Sequence, residues 1–442
     1  MQELQLERAV LVGLTIGGTI DEAEEHLAEL ARLTETAGAE VAETLLQRRR
    51  KPDPATFLGK GKAEEVRGVA KAAGADTVIV DEELSPGQLR NLEELCGCKV
   101  IDRTALILDI FAQHAHSSEG KLQVELAQLN YFLPRLRGWG ESLSRQAGTG
   151  RGAGRTGGLA GGGIGTRGPG ETKLEIDRRK IKTRLAKLKR DLADLDRVRD
   201  VKRRQRTRRH VPSVTIVGYT NAGKSTLLNA LTESGVLVED QLFSTLDPTT
   251  RRLDLPDGRA VTLTDTVGFV RKLPHALVEA FKSTLEETAR ADLLVHVIDG
   301  TVAEPDHQYA SVREVLGEVG AAAVPELVVV NKDDAMDEVA RARIRRLFPD
   351  AALVSALQAE GLEALLGALA ARLATQEVEV DLLVPYDRGD VVAALHAAGA
   401  VLAEEFTDEG TLVRARLRAD QAGRLEQYRV RGRGAGRAKA DG

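Results

Sequence analysis

The sequence predicts an α/β multidomain fold, on three observations. Its 442 residues exceed what one hydrophobic core usually serves, so about three domains are expected. Apolar runs of strand length alternate with amphipathic runs of helix length over about the first 116 residues, and again from Val211 to about Gln376. Between the apolar run SVTIV and the helix-forming run TLLNAL stands GYTNAGKS, residues 218–225, the strand, glycine loop and helix order of a phosphate cradle.

Element by element, the N-terminal domain (1–120) reads as AVLVGLTI, a helix from Asp21 to Ala37, EVAETLL, a helix from Ala63, TVIVDEEL, a helix from Pro86, and KVID. Its loop FLGKGK sets Lys60 and Lys62 among glycines, a turn with solvated lysines that is too weak to establish a second nucleotide site. Residues 121–210 read as a helical hairpin. KLQVELAQLNYFLPRL leads into a glycine-rich loop, residues 147–170, where twelve of 24 residues are glycine, so this loop is expected to be flexible or ordered only on binding. The return helix places Leu174, Ile181, Leu185, Leu188, Leu192, Leu195 and Val198 at spacings of three, four or seven, one apolar stripe with heptad character. Residues 211–376 form the P-loop domain, a mostly parallel sheet with one antiparallel strand, because Pro256, Asp257 and Gly258 make a hairpin turn between RRLDL and VTLTDTV. Residues 377–442 read as a small C-terminal α+β domain with a helix over Asp390 to Ala398 and a charged, glycine-rich tail after Val430.

Composition narrows the setting. No run of about 18 apolar residues offers a membrane span, and the acidic start MQELQLERAV does not read as a signal peptide, so a cytoplasmic location is expected. Cys96 and Cys98 are too few and too close for a disulfide framework or zinc site and read as reduced thiols. His114 and His116 lack metal-ligand spacing, and His296 lies in a strand-like run, so all three read as core or surface residues. The net charge of −5 hides an asymmetry: Arg178 to Arg209 holds 16 Lys or Arg against four Asp, about +12, leaving about −17 elsewhere. Such concentration points to a polyanion, with nucleic acid the obvious candidate. Arg151, Arg155 and Arg167 in the glycine-rich loop have no acidic neighbours before Glu171, which suits insertion into an RNA-lined cavity.

The phosphate loop supplies Gly218, Tyr219, Thr220, Asn221, Ala222, Gly223, Lys224 and Ser225, with Thr226 opening the helix. Backbone N–H groups turn inward, Lys224 reaches the β- and γ-phosphates, and the Ser225 hydroxyl suits Mg²⁺. Three further motifs decide the nucleotide. DTVG, formed by Asp265, Thr266, Val267 and Gly268, ends a strand; Asp265 can hold Mg²⁺ through water and the Gly268 amide can meet the γ-phosphate. NKDD, formed by Asn331, Lys332, Asp333 and Asp334, ends the strand ELVVV. Asp334 would accept from N1–H and the exocyclic amine of guanine, Asn331 would bond N7, and the Lys332 stem would cover the base. Adenine offers no such donor pair, and an unpaired buried acceptor costs about 1–3 kcal/mol, so GTP and GDP are the expected ligands. In SAL, formed by Ser355, Ala356 and Leu357, a backbone amide can bond guanine O6. The switch loop LFSTLDPTTR holds Phe243, Ser244, Thr245, Leu246 and Asp247; by spacing alone Thr245, Thr249 and Thr250 are all candidates to complete the Mg²⁺ shell.

With these motifs in place the sequence resembles the HflX branch of the Obg-related translational GTPases over about residues 8–376. Beyond the G motifs the resemblance rests on LGKGKAEEV, LAQLNYFLPRL, GGGIGTRGPGETKLEIDRR and FSTLDPTTR. It implies that Thr245 is the magnesium-binding switch threonine, so that Ser225, Thr245 and Asp265 form the metal set. It also implies a monomeric partner of the large ribosomal subunit and its rRNA, where relatives split or rescue stalled ribosomes, with the N-terminal domain and hairpin reaching toward the peptidyl-transferase region. A GTP-gated assembly or RNA-binding factor is the alternative.

Phe269 follows DTVG where Ras-type enzymes carry the glutamine that orients the attacking water. Lys224, Gly268 and Phe269 are therefore the residues assigned to catalysis, and hydrolysis is expected to be slow until the ribosome or a cation helps. Asn221 is a candidate K⁺ ligand because GxxNxGKS sets an amide oxygen beside the β- and γ-phosphates, where related potassium-activated GTPases hold the ion.

Overall fold

A computed structural model describes residues 7–136, 173–208, 211–232, 242–243, 248–272, 274–375, 377–397 and 400–430. The glycine-rich segment 147–170, Ser244 to Asp247 and the tail after Val430 lie outside these residues. The chain divides into two compact units, one of Met1–Asp196, Glu239–Asp247 and Arg271–Leu285, the other of Arg197–Val238, Pro248–Val270 and Glu286–Gly442.

The first unit is built on β1 (Glu7–Thr15), β2 (Ala39–Arg48), β3 (Thr77–Val80) and β4 (Lys99–Asp102), ordered β2-β1-β3-β4 and parallel throughout. All four residues of the run TVIV are buried, as a covered parallel sheet requires. Its first three helices, α1 (Ile20–Thr36), α2 (Lys60–Ala73) and α3 (Pro86–Cys96), start and stop on local signals. Thr19 and Ser85 form capping boxes with Glu22 and Gln88, and left-handed Gly74 and Gly97 end α2 and α3. FLGKGK is not a free loop: Gly59 is the N-cap of α2, Lys60 to Lys62 form its first turn, and Lys62 pairs with Glu65 at 2.7 Å. A further helix, α4 (Arg103–His114), has no polar stripe to mark its period, since Arg103 to Leu108 are all buried.

The basic segment lies on a helix that belongs to this unit as far as Asp196. α5 (Ser118–Arg135) is joined to α6 (Lys173–Arg208), the helix of the basic stripe, by a bidentate pair between Arg184 and Glu125 at 2.6 Å. Leu185 and Leu188 on α6 are buried, whereas Lys182, Lys187 and Arg190 are exposed. Two segments that follow the P-loop in sequence belong here because their aromatic residues complete this core. The Phe243 ring lies 4.6 Å from Phe111, and Phe281, between α8 (His275–Ala280) and α9 (Lys282–Ala289), lies 5.4 Å from the same ring.

The second unit holds a six-stranded sheet. It comprises β5 (Ser213–Gly218), β6 (Thr249–Asp254), β7 (Ala260–Asp265), β8 (Leu293–Asp299), β9 (Glu326–Asn331) and β10 (Ala352–Leu353), in the order β10-β9-β8-β5-β7-β6. Only β6 runs antiparallel, joined to β7 by the turn in which Gly258 takes φ +82°. Helices α7 (Lys224–Thr232), α10 (Pro305–Glu318), α11 (Glu338–Leu347) and α12 (Leu362–Ala374) alternate with these strands. A three-stranded antiparallel sheet follows, with β11 (Glu377–Val384), β12 (Val401–Thr407) and β13 (Gly410–Arg418) ordered β11-β13-β12, backed by α13 (Gly389–Ala397) and α14 (Ala419–Arg424). Val380, Leu382, Val413 and Ala415 alternate onto its buried face.

One ionic cluster sits inside the first unit. The Arg103 guanidinium reaches Asp81 at 2.7 Å and Glu29 at 2.8 Å, all three buried, and Arg271 also pairs with Asp81. Removing the central cation leaves buried carboxylates short of charge, so Arg103→Met is expected to destabilise this unit by about 3–5 kcal/mol. A fall in the urea midpoint followed by circular dichroism checks it; an unchanged midpoint refutes it.

Candidate nucleotide site

The four motifs converge at the carboxyl ends of β5, β7, β9 and β10, the edge where open α/β sheets bind ligands. Three glycines let the loops approach this closely. A Cβ on Gly218 (φ +154°) would stand 2.3 Å from the Val297 carbonyl oxygen, and one on Gly223 (φ +87°) would stand 2.2 Å from Asn331 Nδ2. A Cβ on Gly268 would stand 2.9 Å from Thr220 Cα. Asn221 takes φ +58°, a left-handed conformation that asparagine tolerates better than most residues.

Within the loop the Lys224 ammonium is buried and donates to the Tyr219 carbonyl at 2.9 Å. Tyr219, Thr220 and Ala222 are buried as well, and Thr226 is half-buried on the first turn of α7. The Ser225 hydroxyl donates to Asp265 Oδ2 at 2.6 Å. This pairing of a hydroxyl with a carboxylate at the strand end is an all-oxygen, hard donor set that fits Mg²⁺ better than a softer metal. Among the described residues no group of three or more His, Cys, Asp or Glu could hold a metal ion. Thr266 turns inward instead and donates to the Ile216 carbonyl at 2.7 Å, and Val267 is buried.

Phe269 has a structural role the motif did not announce. Its ring is 1% exposed, its N–H donates to the Gly218 carbonyl at 3.2 Å, and its carbonyl accepts from Thr220 N–H at 2.7 Å. The residue in the glutamine position thus stitches DTVG to the phosphate loop through its backbone, and its ring points into the core. Of the three candidate threonines, Thr250 is bonded to Thr264 at 3.0 Å and Thr249 lies opposite Asp265 in the β6–β7 ladder. Thr245 lies outside the described residues.

The base-recognition loops are tied to the phosphate loop by one side chain. Asn331 Nδ2 donates to the Ala222 carbonyl at 2.9 Å while its Oδ1 accepts from Ala356 N–H at 2.9 Å. Its carboxamide, expected at guanine N7, braces three loops. Asp333, expected at the nucleotide, is held by Arg341, and Asp334 beside it is exposed. Ser355 is buried and caps Gln358 N–H at 3.1 Å, whereas Leu357 is exposed. Sequence reading missed Asp299, which ends β8 and meets Lys332 Nζ at 2.7 Å. An apolar run ending in Asp, LLVHVID, was the available signal, the same pattern that marks Asp265.

Three family models match the chain in succession: GTP-binding GTPase N-terminal over residues 24–112, GTP-binding GTPase middle region over 114–206, and 50S ribosome-binding GTPase over 213–332. The chain is 47% identical over 430 residues to GTPase HflX of Caldanaerobacter subterraneus subsp. tengcongensis, covering 97% of this chain and 95% of that protein. The chain belongs to the HflX family of GTPases. GTPase HflX of Escherichia coli K12 is 44% identical over 410 residues, covering 92% of each. Among solved structures, the crystal structure of the SsGBP and GDP complex is 26% identical, covers 84% of this chain and 99% of that one, and gives a TM-score of 0.44.

In this HflX-family site the lysine carries the clearest electrostatic signature. Burial pushes the Lys224 ammonium down to about 8, against the pull of the Asp265 carboxylate, which favours its charged form. Phosphate oxygens beside it would favour the charged form further, so nucleotide is expected to raise the pKa on binding. Below pH about 8 the lysine is already charged and affinity is insensitive to pH. Above it, binding takes up a proton and GDP affinity is expected to fall by up to about tenfold per pH unit. Titration calorimetry at pH 8.5 in buffers of different ionisation enthalpy measures the uptake; no proton exchanged would contradict the assignment.

Proposed function

We propose that this GTPase binds the large ribosomal subunit and its rRNA and, acting in the cytoplasm as a monomer, splits or rescues stalled ribosomes. The observation that carries the reading is the position of the basic helix. α6 presents exposed Lys182, Lys187 and Arg190 while Leu185 and Leu188 hold its other face in the core, and the helix runs to Arg208, five residues before the strand that feeds the phosphate loop. The helix already orders the backbone of these residues, and counterions released from RNA phosphates drive the contact. The description of the model matching residues 213–332, a 50S ribosome-binding GTPase, supports the same partner. No helix among the described residues is long and apolar enough to cross a membrane.

Chemically, the site works by position and charge. Lys224 and the loop amides hold the β- and γ-phosphates, Gly268 offers its amide to the γ-phosphate, and Asp334 and the SAL amides select guanine. Mg²⁺, held by Ser225, Asp265 and Thr245, would supply positive charge that offsets the charge developing on the phosphoryl oxygens. No side chain at position 269 orients water, so hydrolysis is slow until the ribosome supplies order to the switch segments.

Asn221 supports a K⁺ ion as a second source of help, since its left-handed backbone holds an amide side chain at the turn of the phosphate loop. GTP hydrolysis is then expected to run faster in K⁺ than in Na⁺ at equal ionic strength. Equal rates with and without ribosomes would remove K⁺ from the mechanism.

Sedimentation of intact ribosomes with the chain and GTP, or a non-hydrolysable analogue, tests the main reading. Conversion of whole particles to subunits is expected. A chain that binds free large subunits and leaves whole particles intact would instead be an assembly factor.

A further inference from the structure

Two residues outside the nucleotide motifs hold the NKDD loop from opposite sides. Asp299, at the end of β8, lies directly beside Asn331 in the parallel ladder, and its carboxylate is fixed before any lysine reaches it. Asp299 Oδ1 accepts from Thr301 N–H at 2.9 Å and from the Thr301 hydroxyl at 2.6 Å. Its Oδ2 then takes Lys332 Nζ at 2.7 Å. The next residue seals the arrangement: Gly300 donates to the Asn331 carbonyl at 3.0 Å, and a Cβ on it would stand 2.3 Å from Met336 Sδ.

Lys332 itself sits at φ +65° and ψ 36°, a left-handed backbone that a lysine does not choose unaided. Tethering the ammonium of such a residue turns its methylene stem into a fixed slab. A stem of this kind recognises the flat face of a purine and is indifferent to the groups on the ring edge.

On the other side, Arg341 of α11 forks onto Asp333. Its Nε donates to Asp333 Oδ1 at 2.8 Å and a terminal nitrogen donates to the Asp333 carbonyl at 2.7 Å. The fork fixes both the side chain and the backbone of the residue just before Asp334, whose own carboxylate is on the exposed side of the turn. Two planar contacts to one residue specify its orientation as well as its place.

We propose that Asp299 and Arg341 are positioning residues that divide guanine recognition into two parts: Asp299 sets how tightly the purine face is held, through Lys332, and Arg341 sets how well the guanine edge is told from other edges, through Asp334. The proposal rests on the guanine-nucleotide reading of the site, which tight binding of GDP by the native full-length chain tests separately.

Asp299→Asn keeps the shape and can still accept from Thr301, but removes the charge that tethers Lys332. It is expected to weaken GDP and inosine diphosphate by the same factor, about tenfold, as loss of a charged hydrogen bond allows. KM for GTP rises with it and kcat moves less. Lys332→Ala reproduces this loss, and adding Asp299→Asn to Lys332→Ala costs nothing more. Arg341→Gln behaves differently. Inosine keeps N1–H and lacks only the exocyclic amine, so a displaced Asp334 weakens both nucleotides but GDP more, lowering the preference for GDP over inosine diphosphate by about fivefold. Arg341→Lys does not restore it, because an ammonium cannot make the fork. The proposal is overturned if Asp299→Asn binds both nucleotides within twofold of the native chain, if its effect adds in full to that of Lys332→Ala, or if Arg341→Gln keeps the native preference.

Discussion

The site depends on one approach, that of the Asn331 carboxamide to the backbone of Gly223. With no side chain on Gly223, Asn331 can lay its Nδ2 against the Ala222 carbonyl, and its other end then reaches the Ala356 amide. One side chain therefore sets the distance between the loop for phosphates and the two loops for the base. A nucleotide spans that same distance, and fixing it in the protein lowers the ordering entropy that binding would otherwise cost. Any Cβ at position 223 would push Asn331 away and separate the loops, even with every other motif unchanged.

The motifs themselves were legible because their chemistry is local. Gly218, Gly223, Lys224 and Ser225 act within one turn of chain, and Asp265 and Asn331 each close a strand whose apolar run announces it. The hairpin between β6 and β7 was legible for the same reason, through Pro256, Asp257 and Gly258. What stayed hidden was pairing over distance. Nothing near Arg103 says that Glu29 and Asp81 will neutralise it, and nothing near Phe243 says that its ring will meet Phe111. α4 escaped for a different reason: a helix buried on nearly every side loses the 3.6-residue period that identifies one. Lys60 and Lys62 misled because glycines on either side suggest a turn, yet a glycine at the N-cap opens a helix equally well.

Phe269 shows how a motif position can change employment. In an enzyme that places glutamine after DTxG the side chain faces the γ-phosphate and the backbone merely carries it. Here the ring is inside and the backbone is the working part, donating to Gly218 and accepting from Thr220. Two residues later Arg271 enters a buried ionic cluster with Asp81, so the chain after DTVG is held by partners of quite different kinds within a short stretch. Backbone pairing of this sort positions the Gly268 amide accurately but supplies no proton acceptor. The consequence is a Gly268 fixed by its neighbour's backbone and a position 269 whose side chain is turned away from the loop surface.

The charges of the site follow the same division. Lys224 is buried with a carbonyl for a partner, so its ammonium has less compensation than an ion in water would have. Phosphate oxygens would offer the lysine the anionic partners that burial withholds. Part of the binding energy would then be relief of desolvation already imposed by the fold, available only to a ligand carrying phosphate. Folding around Lys224 costs stability, since burial disfavours its charged form. That cost is local to the phosphate loop, where the glycines also forgo packing, and the buried residues of the adjoining strands offset it. The rigidity of the sheet is what allows a strained and poorly solvated loop to persist at its edge until nucleotide arrives.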